Sequence, residues 1–180
     1  MSEQVDHFTR FALPRRYAID RAALEAAYER LTLAHHPDFV AAAPEAERRA
    51  AEQASAAVNE GYRVLRSDAE RAAYLLRLLA DGRALDANAL PAGFLQEMFG
   101  LQEEVEELGE DGSPERKAQL RNEANAKRAA IQAGRAVLFD QATAAGGPAD
   151  LERLQAIQSN LNCERYLLRL LERLDGQRDD

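Results

Sequence analysis

Apolar residues in the first part of the chain recur at the spacing of a helix face. Asp20 can cap such a helix, because its side chain can accept from free backbone N–H groups of the first turn. The helix must end at His36, since Pro37 has no N–H group and disfavours helical backbone in the residue before it. The apolar face of this predicted helix consists of Leu24, Tyr28, Leu31 and His35.

Two more amphipathic segments follow. Pro44, a good first-turn residue, opens a long predicted helix, and Ser67 to Glu70 read as a capping box that opens another. The helices on either side of Pro37 are predicted to form an antiparallel pair. The inward face of the second contains Ala54, Ala57, Val58, Gly61, Tyr62 and Leu65, and that of the third Ala72, Leu75, Leu76 and Leu79.

The periodicity weakens between residues 80 and 90 and then resumes. Three helical segments are predicted at about 91–109, 114–144 and 150–174, and their short connections favour an antiparallel three-helix bundle. No alternating strand pattern occurs. The sequence therefore predicts an all-α protein, and its three parts are an N-terminal domain at 1–80, a linker at 81–90 and a C-terminal helical bundle at 91–180.

The net charge and the cysteine content exclude several classes of function. A formal net charge of −8 argues against general nucleic-acid binding, because that function needs a concentrated basic surface. The single cysteine, Cys163, excludes an intramolecular disulfide and a cysteine-based zinc site, and we expect it to pack between helices. No apolar run approaches the roughly 18 residues of a membrane span, and no signal-peptide pattern opens the chain, so we expect a cytoplasmic protein that binds no membrane.

The stretch AHHPDFV at 34–40 holds the most distinctive polar cluster. A metal site wants three or four converging ligands, and the chain has 3 histidines in all. No nucleophile with a neighbouring base and no glycine-rich phosphate loop is present, so we expect neither enzyme activity nor a cofactor. Two alternatives stay open: a plain helix-ending turn, and a metal-dependent hydrolase that uses His35, His36 and Asp38.

The order of motifs from Asp6 to Leu79 resembles a J-domain. DHFTRFALP is followed by an amphipathic helix, by His-Pro-Asp, by a helix reading AAVNEGYRVL and by SDAERAAYLL. The resemblance implies that His36, Pro37 and Asp38 contact a DnaK-type chaperone ATPase and stimulate its ATP hydrolysis. It also implies a contribution from Arg30, since J-domains carry basic residues on the helix before this triplet.

In GFLQEMFGLQEEVEEL, two large apolar residues fall outside the predicted bundle core. Leu95 and Phe99 lie about 100° to 140° from the centre of the core stripe, at 100° per residue. They indicate a contact surface, unless a wider core or a crossing helix covers them. The core stripe itself is predicted to contain Phe94, Met98, Leu101, Val105 and Leu108.

A J-domain joined to such a bundle resembles the HscB family of co-chaperones of iron-sulfur cluster assembly. That family's partners are the specialised chaperone HscA and the scaffold protein IscU, and the resemblance implies that Leu95, Phe99 and Glu103 contact the scaffold. Gln96 and Ala156 stand where the family has larger apolar residues, which indicates a smaller or shifted scaffold face. A J-protein that serves a different client is the alternative.

Overall fold

A computed structural model describes residues 5–35, 43–109, 112–144 and 149–176. These residues form helices and no strand, which confirms the all-α prediction. The described helices are α1 (His7–Arg10), α2 (Arg21–Ala34), α3 (Glu45–Arg66), α4 (Asp68–Ala80), α5 (Phe94–Leu108), α6 (Pro114–Thr143) and α7 (Leu151–Leu174).

Side-chain caps mark the starts of α2, α6 and α7. Asp20 accepts from the N–H groups of Ala22 and Ala23 and so caps α2, while Pro44 occupies the capping position of α3. Ser113 and Asp150 cap α6 and α7 in the same way as Asp20. Each side-chain cap satisfies backbone donors that have no partner within the helix, and the ends of these helices are thereby fixed by local sequence.

Helices α2 and α3 form an antiparallel pair joined through residues 35–44. The rings of Tyr28 and Tyr62 stack with their centroids 4.0 Å apart. The Tyr62 hydroxyl donates to Glu25 at 2.7 Å, and the Tyr28 hydroxyl donates to Asn59 at 3.0 Å. Because residue numbers rise along α2 as those of their partners fall along α3, these contacts define the antiparallel register of the two helices.

Gly61 allows α1 to lie directly against α3. A Cβ atom at this position would lie 2.8 Å from Cε2 of Phe11 and 3.1 Å from Nδ1 of His7. The Phe11 ring cannot move into solvent, because its exposed fraction is only 1%. The contact therefore needs a residue without a side chain.

We expect Gly61→Ala to lower the free energy of unfolding by about 1–3 kcal/mol, since overpacking outweighs the better helix propensity of alanine. Chemical denaturation monitored by circular dichroism measures the effect. The matched control is Gly134→Ala on α6, where an added Cβ meets nothing within 4 Å; there alanine is expected to stabilise by up to about 1 kcal/mol. Equal stabilisation by both substitutions would contradict the close approach.

The chain divides into two compact units, Met1–Leu75 and Leu76–Asp180. Within the second unit, the segment 81–90 is bonded to α7. The amide of Asn162 donates to the carbonyl groups of Ala87 and Ala89 at 3.0 and 2.8 Å, and the N–H of Asp86 donates to Gln155 at 2.8 Å. The division into domains at 1–80 and 91–180 with a linker between them stays a prediction.

The C-terminal unit contains an up-down-up bundle of α5, α6 and α7. Ion pairs of Glu97 with Lys127 and of Glu104 with Arg116 set α5 antiparallel to α6. Helices α5 and α7 run parallel, since Phe94 meets Tyr166 at one end and Glu106 meets Arg173 at the other. The buried core cluster consists of Met98, Leu101, Leu120, Ala124, Leu167, Leu170 and Leu174.

Candidate functional site

Of the predicted chaperone-binding residues, Arg30 lies within the described chain and is exposed on α2. His36, Pro37 and Asp38 lie outside the described residues. Helix α2 ends at Ala34, two residues before the predicted end at His36, and the half-buried His35 caps it by donating its backbone N–H to the carbonyl of Leu31 at 3.1 Å.

The alternative of a metal-dependent hydrolase gains no support from the described part of the chain. Among those residues, no group of three or more histidine, cysteine, aspartate or glutamate side chains is placed to hold a metal ion. His35 is the described member of the predicted ligand set, and the other two lie outside. Cys163 is a buried free thiol, and burial raises its pKa to about 11. It is therefore protonated at neutral pH and packs as an apolar group.

The predicted scaffold-binding residues lie together on the outer side of α5. The exposed fractions are 42% for Leu95 and 60% for Phe99, and Glu103 is exposed one turn further on. Met98 and Leu101 of the same helix are buried in the core. The prediction that Leu95 and Phe99 lie outside the core is confirmed, and neither a wider core nor a crossing helix covers them within the described part of this unit.

The flank of α5 that holds these two residues faces a groove beside α7. Gln102 lines that groove together with Tyr166 and Arg169. On the opposite flank, Glu97 and Glu104 pair with α6, so the two sides of α5 are distinguished by their partners. The predicted contact surface thus borders the α5–α7 groove and lies away from the α5–α6 seam.

Two positions that depart from the family pattern are also exposed. Gln96 on α5 and Ala156 on α7 reach the surface, and neither offers a large apolar side chain. Sequence reasoning did not single out the exposed arginines of α7, which recur every four residues at Arg165, Arg169 and Arg173. This spacing, which places side chains on one helix face, was the signal that could have found them.

A buried polar cluster lies on the inner side of the bundle, between α6 and α7. Glu164 pairs with the fully buried Arg135, and it also accepts from Gln132 at 2.5 Å and from Arg128 at 3.2 Å. Burial raises the pKa of Glu164, but these hydrogen bonds together bring it below its usual value. The carboxylate is therefore ionised at neutral pH and holds α6 and α7 in register.

No helix among the residues that the structure describes has both the length and the apolar character needed to span a bilayer. Of the predicted site residues, the structure describes Arg30 on α2 and Leu95, Phe99 and Glu103 on the outer face of α5, and all four are exposed.

Comparison with known proteins agrees with this architecture. The HscB structures of Vibrio cholerae and of human match the chain with TM-scores of 0.74 and 0.77 at 24% and 22% sequence identity. The first match covers 96% of both chains, and the second covers 98% of this chain and 84% of the human one. No family model matches the sequence. The fold is that of the HscB structures.

Sequence similarity identifies the family. The HscB co-chaperone homologue of Azoarcus sp. (strain BH72) is 40% identical over 140 residues, which cover 77% of this chain and 79% of that relative. The homologue of Burkholderia multivorans is 35% identical over 167 residues, covering 83% of this chain and 95% of the relative. The chain belongs to the HscB family of co-chaperones.

Proposed function

We propose that this protein stimulates ATP hydrolysis by a DnaK/HscA-type chaperone and delivers an IscU-type iron-sulfur scaffold protein to it. The iron-sulfur cluster is the cargo of that scaffold, and the chain is proposed to act in the cytoplasm as a non-enzymatic adaptor without a cofactor of its own. The observation that carries the proposal is the exposed pair Leu95 and Phe99 on a bundle whose core is already complete without them.

The chaperone side of the proposal rests on the loop after α2. His36, Pro37 and Asp38 would contact the ATPase, and Arg30, which is exposed on α2, would contribute to the same interface. An aspartate offers a carboxylate to an arginine of the partner, which is a directional and charge-assisted interaction. The co-chaperone would hydrolyse nothing itself and would shift a conformational equilibrium of the ATPase.

The scaffold side rests on the α5 face. Burial of exposed large apolar side chains by a partner is favourable, and a few such residues carry most of the affinity of an interface. Carrying both surfaces on one chain raises the effective concentration of the scaffold near the chaperone, so the two proteins meet more often than they would by free diffusion.

The test is the steady-state ATPase rate of the cognate HscA-type chaperone with this protein, with and without the scaffold. We expect Asp38→Asn to lower the stimulation by roughly tenfold or more, because the substitution removes a charge-assisted hydrogen bond. The matched control is Asp81→Asn: Asp81 is exposed and has a φ of 48°, a conformation that asparagine tolerates well.

Two results would count against the proposal separately. Stimulation that survives Asp38→Asn would overturn the assigned role of the loop. Stimulation by the wild type that is unchanged by the scaffold, together with no measurable scaffold binding, would overturn the assigned client and favour a J-protein that serves another one.

A further inference from the structure

The exposed face of α7 carries a band of arginines in a strongly acidic protein. Arg165, Arg169 and Arg173 are all exposed, and each follows the previous one by four residues. Four residues advance about 6 Å along a helix and turn it by about 40°, so the three guanidinium groups form a continuous band. The chain as a whole has a formal net charge of −8, which makes this band a local reversal of sign.

Tyr166 and Arg169 separate two clefts along this band. One cleft, of about 170 Å³, is also lined by Asn162 and Arg165 of α7 and by Ala87 and Asn88, which precede α5. The other, of about 130 Å³, lies between α5 and α7 and is also lined by Gln102 and Arg173. Both volumes are of the order of a side chain, and the Tyr166 side chain between them is 39% exposed.

The arginines differ in how firmly they are held. Arg165 donates to the neutral amide oxygen of Asn162, and Arg173 lies 3.8 Å from Glu106. Among the described residues, no hydrogen bond or ion pair fixes Arg169. The nearest acidic neighbour on its own helix, Glu172, is exposed and forms no ion pair within the described chain. Arg169 is thus available to bind a carboxylate.

The band is continuous with the proposed scaffold face. Leu95 and Phe99 lie on the flank of α5 that turns toward α7, because Gln102 and Glu106 of that flank meet α7 residues. Since α5 and α7 run parallel, Tyr166 lies level with the start of α5, where Phe94 contacts its ring at a centroid distance of 6.0 Å. Apolar, tyrosine and arginine side chains on one surface are the composition of interface hot spots.

We propose that the scaffold-binding surface extends from α5 across the groove onto α7, with Tyr166 packing against the scaffold and Arg169 binding one of its aspartate or glutamate side chains. This inference rests on the proposed function, because the occupant is the same scaffold protein that covers Leu95 and Phe99. Tyr166 would supply a large ring on this surface, where the exposed Gln96 and Ala156 offer no large apolar side chain.

The experiment is isothermal titration calorimetry of the full chain with the IscU-type scaffold at about 50 mM and about 300 mM NaCl. Arg169→Glu is expected to weaken binding roughly tenfold at low salt, and the loss should shrink at high salt because exposed charges are screened. Tyr166→Ala is expected to weaken binding by a similar factor at both salt concentrations. The control is Arg48→Glu, which makes the same charge change at an exposed position of α3.

The outcomes separate this inference from the proposed function. If Arg169→Glu and Tyr166→Ala bind like the wild type while Leu95→Ala with Phe99→Ala does not bind, the α7 extension is overturned and the proposed function stands. If the wild type fails to bind the scaffold, both are overturned. Self-association of the wild type that Arg169→Glu abolishes would overturn the inference in favour of a second copy as occupant. Thermal melting by circular dichroism checks that each variant is folded.

Discussion

Replacing Arg135 by methionine is expected to lower the free energy of unfolding of the C-terminal unit by about 3 kcal/mol at neutral pH. The exposed fraction of Arg135 is 0%, and its guanidinium pairs with Glu164 and donates to Asn160 at 2.9 Å. Methionine fills much of the same volume, so the loss comes from a buried carboxylate that loses its main partner. Gln132 and Arg128 still donate to Glu164, so the expected loss of stability lies near the lower end of the range for a broken buried ion pair.

Two further variants isolate the cause. Arg128→Met removes a partner whose side chain is 35% exposed and is expected to cost less than about 1 kcal/mol. The double variant Arg135→Met with Glu164→Leu is expected to recover most of the stability, since an apolar pair can replace a buried ion pair and Nη1 of Arg135 already lacks a hydrogen-bond partner. If the double variant loses as much stability as Arg135→Met and Glu164→Leu lose in sum, the coupling energy between Arg135 and Glu164 is zero.

The same cluster predicts how stability depends on pH. Burial acts to raise the pKa of Glu164, but the hydrogen bonds from Arg135, Gln132 and Arg128 leave it below its usual value. The unfolded chain therefore binds this proton more readily than the folded one. The stabilisation is present above the ordinary glutamate pKa and is lost as the pH falls through the lowered native pKa, and the wild type should lose more stability on acidification than Arg135→Met.

This cluster also marks the limit of what local sequence determines. Helix ends follow from local rules, so the residue types at Asp20, Ser113 and Asp150 are enough to predict the capped starts of three helices. Which residues of α6 pair with which residues of α7 depends instead on tertiary packing. Nothing in the sequence near Arg135 distinguishes a buried arginine from the exposed arginines elsewhere on these helices, because its burial depends on Glu164, which lies 29 residues away.

The candidate site, too, could be predicted from the sequence only in part. Helical periodicity alone placed Leu95 and Phe99 outside the core, since a stripe of five apolar residues already accounts for the packing of α5. Which neighbour their flank would face could not be read from that pattern, because it depends on the order in which α6 and α7 pack around α5. The arginine band borders this flank because Gln102 and Glu106 of α5 meet Arg169 and Arg173 of α7.

The largest expected effect on function is the loss of scaffold binding in the double variant Leu95→Ala with Phe99→Ala. Central apolar residues of an interface contribute about 2 kcal/mol or more each, so we expect affinity for the IscU-type scaffold to fall by roughly a hundredfold or more. Because both side chains are exposed in the free protein, their truncation is expected to change folding stability by no more than about 0.5 kcal/mol. Calorimetric titration and thermal melting of the same samples measure the two quantities.

The matched control is Leu33→Ala, which truncates a leucine on α2 that is 65% exposed and thus even more accessible than Leu95. If exposed leucine in general promoted binding, this substitution would weaken it as well. A proposal specific to the α5 face requires unchanged scaffold affinity for Leu33→Ala and a large loss for the double variant. Stimulation of the chaperone ATPase in the absence of scaffold should persist in the double variant, because the surface proposed to bind the chaperone lies on other residues. A double variant that binds the scaffold as the wild type does would remove the α5 face from the interface.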